Sequence, residues 1–179
     1  HHPLITMSLE PHQLDAKGKQ AFAKKNFVEA AEYFRQAAEG YTQGRAGLEA
    51  AESRNNLSVA LLQAGKPQEA LDAALDTDKV FEGAKDVKRQ AMAFGNQAAA
   101  LEGLHRYDEA IQRYELSAEL FGSIDEGDLR AMVMKSAAAI KLKTGKITDS
   151  AFKMMGSLDV KKNPTFFERI MKFLMKFIR

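Results

Sequence analysis

Apolar residues along this chain recur three and four positions apart rather than two. Ala30, Tyr33, Phe34 and Ala37 form one set, Leu57, Leu61 and Leu62 a second, and Tyr107, Ala110, Ile111, Tyr114 and Ala118 a third. That spacing gathers each set on one side of a helix. β-branched residues are sparse and no alternating run exceeds a few residues, so strands are not expected. The helical sets flank turn positions at Lys25, Gly65, His105 and Gly145. Pro67 falls at the first position of a helix, where its missing N–H costs nothing. The pattern predicts an all-α protein built from helix pairs.

The pairs repeat. Glu-Ala stands at 29/30, 69/70 and 109/110, a step of 40 residues each time. A fourth copy, Lys146-Ile147-Thr148-Asp149-Ser150-Ala151, falls on the same step with Asp-Ser in place of Glu-Ala. Leu61 and Leu101 keep the step, and Gly65 and Gly145 are two steps apart. Repetition at such a period is the mark of stacked supersecondary units. The recurring Ala lets two antiparallel helices approach closely, and an aromatic one turn later fills the gap above it.

These residues resemble the tetratricopeptide repeat. Leu14, Gly18, Phe27, Ala30, Phe34 and Ala37 match its pattern in the first unit; Leu57, Leu61, Gly65 and Ala70 match in the second; Phe94, Leu101, Tyr107, Ala110 and Tyr114 match in the third. The fourth unit keeps only Gly145 and Ile147. The likeness runs from about Leu14 to Gly156. A step of 40 is longer than the commonest 34 and is similar to the long-helix subclass of kinesin light chains and spindle-orientation adaptors. Pro67 and Ala74 stand where aromatics are usual, so the second unit is expected to pack more thinly.

The resemblance implies a right-handed superhelical array of antiparallel helix pairs. It also implies a concave groove, lined by the first helix of each unit, that takes a peptide or partner segment. Its lining would include Asn55, Asn56, Val59, Met92, Asn96 and Lys135. Asn56 and Asn96 occupy the same position one step apart; an amide both donates and accepts, so it suits an extended backbone. The carboxylate clamp of chaperone-binding members is incomplete, because His12, Ala16 and Met92 stand where Lys or Arg is needed and Lys135 is one place out of phase.

Composition narrows the chemistry. The 179 residues include no Cys, which removes disulfides and thiolate chemistry. No phosphate-binding glycine loop or nucleophile motif is present. His105 reads as a turn residue. The run Asp125-Glu126-Gly127-Asp128 lacks the spacing of a Ca²⁺ loop, and Asp125 is expected to cap a helix. No cofactor, metal or enzymatic activity is expected. Residues 1–6 read as a tag remnant, 7–160 as the repeat domain and 161–179 as a separate tail. Neither a secretory signal nor a run of about 18 apolar residues is visible, so a cytoplasmic location is expected.

The net charge of +2 is unevenly spread. Residues 161–179 carry five net positive charges, leaving three net negative charges on the rest. An acidic body is a poor match to nucleic acid. At 100° per residue Phe166, Phe167, Ile170, Phe173, Leu174 and Phe177 share one side of a tail helix, with Lys172 and Lys176 opposite. Such a face needs a partner surface. Three remain open at this point: a cap on the last repeat, an anionic membrane that would make the protein a peripheral adaptor, or another protein, including a second copy of the chain.

Overall fold

The computed structural model describes residues 8–145, and among them every regular element is an α-helix. The helices are α1 (Pro11–Ala23), α2 (Phe27–Gln43), α3 (Gly47–Gln63), α4 (Pro67–Ala74), α5 (Thr77–Gly83), α6 (Val87–Gly103), α7 (Tyr107–Ser123) and α8 (Gly127–Lys143). The 40-residue step has a simple origin. Helices of 17 residues, such as α2, α3, α6 and α7, alternate with turns of three. The leading helices α1, α3, α6 and α8 end on the same step, at residues 23, 63, 103 and 143. The trailing helices α2, α4–α5 and α7 start on it, at 27, 67 and 107. Each trailing helix packs between the leading helix before it and the one after it.

The turns are copies of one device. At the first, the Asn26 N–H donates to the Ala21 carbonyl at 2.9 Å and the Lys25 N–H to the Phe22 carbonyl at 2.9 Å. These two bonds satisfy carbonyls that a helix end otherwise leaves open, and they require the middle residue to be left-handed. The pattern recurs around Arg45, Gly65, Lys85, His105 and Asp125, and Gly145 begins another copy by donating to Leu142 at 3.2 Å. All seven have positive φ, from 57° to 79°, yet only two are glycine. Asp125 is therefore the left-handed residue of its turn (φ 57°); the cap of α8 is Glu126, and the expectation that Asp125 caps the helix is corrected. The turn hydrogen bonds override the capping preference of its side chain.

The core follows the repeat. Phe34 and Tyr114 occupy equivalent places in α2 and α7 and are 2% and 0% exposed. Phe34 lies against Gly18 of α1, where an added Cβ would stand 2.6 Å from the ring. Glycine is what lets this ring close on the helix. At the matching place in the second unit Ala74 offers no ring, and there the trailing helix breaks. Asp76 turns left-handed (φ 66°) and separates α4 from α5. The freed carbonyls are answered by side chains: Thr77 Oγ1 donates to Ala74 O at 2.7 Å, Gln97 Nε2 to the same oxygen at 3.1 Å, and Arg54 Nη2 to Leu75 O at 2.7 Å. The second unit thus differs by a break in its trailing helix, while Ala70, Ala74, Thr77 and Phe81 remain buried.

Candidate peptide-binding face

Successive leading helices touch along one side of the molecule, and polar pairs from neighbouring units make the contacts. Ser53 Oγ donates to the two carboxylate oxygens of Asp15 at 2.9 and 3.0 Å, joining α1 to α3. Arg89 of α6 reaches Glu52 of α3 at 3.2 Å, and Lys88 of α6 reaches Glu126 at the start of α8 at 2.9 Å. Asn96 Nδ2 donates to Asn55 Oδ1 at 2.8 Å, and Asn55 Nδ2 donates to Ala51 O at 3.2 Å.

The site residues read from the sequence therefore fall into two groups. Asn55, Val59 and Asn96 are 6%, 5% and 3% exposed; Asn55 and Asn96 join α3 to α6, and Val59 belongs to the hydrophobic core. Asn56, Met92 and Lys135 are half-buried on the leading-helix side. Asn56 and Asn96 do share a repeat position, yet they differ in environment. Position 55 is Asn in one unit and position 95 is Gly in the next, so only one unit has an amide to receive its neighbour. A small cleft of about 20 Å³ opens beside Gly95, lined also by Met92, Asn96, Phe121, Leu129 and Met132. It brings together Met92 and Asn96 from the predicted set and leaves out Asn55, Asn56, Val59 and Lys135.

Partial burial moves the charges of this side. Asp15 is raised from 3.8 to about 6, because burial outweighs the Ser53 hydrogen bond and the nearby Lys19. Lys19 is lowered by burial, against the pull of Asp15 and Glu52. Glu52 is raised by burial, with Arg89 opposing. Sequence reasoning missed Ser53, Arg89 and Lys88 as joints. The available signal was spacing: each bonds a residue close to one repeat step away.

A second concavity of about 930 Å³ opens elsewhere, between the turn ends of the first two units. Phe27, Val28, Ala31, Leu61 and Ala64 give it apolar walls, and Val28 is 64% exposed. Among the described residues no three His, Asp or Glu side chains gather as a metal site, and no helix is long and apolar enough to cross a membrane. The tail residues Phe166, Phe167, Ile170, Lys172, Phe173, Leu174, Lys176 and Phe177 lie outside the described residues. An all-helical array of packed helix pairs, with a polar-seamed leading-helix side, is the class of molecule defined so far. Neither a known family model nor a curated protein matches the chain.

Proposed function

We propose that this chain is a non-enzymatic, cytoplasmic scaffold of the tetratricopeptide type that binds an extended peptide segment of a protein partner along its leading helices. The observation that carries this reading is the register. Four leading helices end on one 40-residue step, so equivalent positions recur along one side at regular intervals. A periodic surface suits a periodic ligand, and an extended chain is one. The shallow Met92–Met132 cleft offers an apolar point of contact, and the half-buried Asn56 offers an amide for the ligand backbone. Asn96 contributes by holding α3 to α6 rather than by touching the ligand.

The test is selection of binders from a random-sequence peptide display library against the full chain. Asn56→Ala should weaken a selected peptide roughly fivefold to tenfold, the worth of one net hydrogen bond, with helicity unchanged. Peptides whose affinity ignores Asn56→Ala and also a Met92→Lys, Met132→Lys pair would contradict the proposal, as would failure to select any peptide.

A further inference from the structure

The concavity between the turn ends of the first two units owes its space to two small side chains. Ala31 of α2 and Ala64 at the end of α3 lie in its wall. One step on, the same two positions hold Leu71 and Leu104, and Ile111 follows Leu71 after another step. Leu71 and Ile111 are buried, and Leu104 packs against the core. The larger side chains thus occupy the room that the two alanines leave open. The rim differs as well. Val28 is 64% exposed at a position where the next two units carry Gln68 and Asp108. The first groove is therefore both emptier and more apolar than its equivalents.

Charge marks one end of it. Lys25 and Lys66, both exposed, line the groove at the turns, and Lys24 stands beside Lys25 in the chain. Among the described residues neither Lys25 nor Lys66 has an ion-pair partner, whereas Arg106, one step beyond Lys66, is held by Glu109 at 2.6 and 2.8 Å. Two turns along α2, Arg35 is matched by Glu32 at 2.7 Å. Glu29 is the one lining carboxylate outside that pair. The trailing segments are otherwise net acidic, so an acidic ligand is repelled over most of their surface and attracted at this end. We propose that the groove binds an acidic–apolar segment of a protein partner, with one bulky apolar side chain filling the space beside Ala31 and Ala64 and flanking carboxylates meeting Lys25 and Lys66. The groove shares no residue with the Met92–Met132 cleft and does not include Asn56, so this ligand is additional to a peptide on the leading helices.

The probe is a fluorescein-labelled hexapeptide with leucine and phenylalanine between two pairs of aspartates, titrated with the full chain and read by fluorescence anisotropy. One control peptide has alanines in place of the apolar pair, and a second has lysines in place of the aspartates. The probe should bind with a Kd below about 1 mM, and the alanine control about tenfold more weakly. Lys25→Gly with Lys66→Gln removes both charges and keeps the left-handed turn, since Gly65 holds that position in the next unit. Val28→Gln with Ala64→Leu gives the first groove residues of the second. Each pair should weaken the probe about fivefold to tenfold, leave helicity unchanged and not weaken the lysine control. Val28 is exposed, so Val28→Gln alone carries the apolar half of the test if Ala64→Leu disturbs packing. A probe that does not saturate, an affinity that either pair leaves unchanged, or an alanine control that binds as tightly would overturn the proposal.

Discussion

Asp15 is a residue whose environment departs clearly from that of a free side chain. Its carboxylate is half-buried between α1 and α3 with one hydroxyl donor, and burial raises its pKa to about 6. A carboxyl raised on folding holds a proton that the unfolded chain has released. Its favourable contribution is complete below the ordinary value of 3.8 and is lost as pH rises through about 6. Asp15→Asn keeps an acceptor for Ser53 and removes the buried charge. We expect it to raise stability at pH 7 by about 1 kcal/mol, discounted because the half-buried group still meets solvent. It should also flatten the stability profile between pH 4 and 6. Urea unfolding at several pH values measures both, and an unchanged profile would place the charge in water. Nothing in the neighbourhood of residue 15 in the sequence announces this, because the partner Ser53 lies 38 residues away.

At the scale of helices, two features carry consequences. Five of the seven turns force a non-glycine residue into the left-handed region, at about 1 kcal/mol each. Lys85→Gly should therefore stabilise the protein by about that amount, raising the melting temperature by a few degrees; a loss of stability would show that the Lys85 side chain supplies more than its backbone costs. The second feature is the break between α4 and α5. Gln97 holds it, donating to Ala74 O and, at 2.8 Å, to Asp78, while accepting from Arg113 at 3.0 Å. Asp78 is only 8% exposed. Gln97→Ala removes a donor from a buried carboxylate and should cost about 2–3 kcal/mol, read as a drop in the urea midpoint. A cost near zero would mean that water replaces the amide. The helix pairs and their 40-residue phase were legible from Glu29-Ala30, Glu69-Ala70 and Glu109-Ala110 alone, because turn length and helix length are local matters. The break was not. Residues 67–83 keep a helical composition, and what tips them is a set of donors, Arg54 and Gln97, supplied by other helices. The burial of Asn96 was hidden in the same way, since it depends on whether position 55 or 95 carries an amide.

Across the whole molecule the repeat also sorts charge. The trailing segments 27–43, 67–83 and 107–123 carry two, four and three net negative charges, whereas the leading helices carry between one negative and three positive. One side of each helix pair is thus consistently acidic, and basic peptides will be drawn to it in a salt-sensitive, sequence-insensitive way. Specific recognition has to be separated from that background. The methionines make the separation possible. Met92 of α6 and Met132 of α8 line the cleft beside Gly95, while Met134 of α8 is 47% exposed. The decisive measurement is a methyl-resolved NMR titration of methionine-labelled full-length chain with a peptide selected from the display library. The account predicts that the Met92 and Met132 signals shift in saturable fashion while Met134 stays in place. Shifts absent from Met92 and Met132 at saturation would contradict it and move the binding surface away from the leading helices.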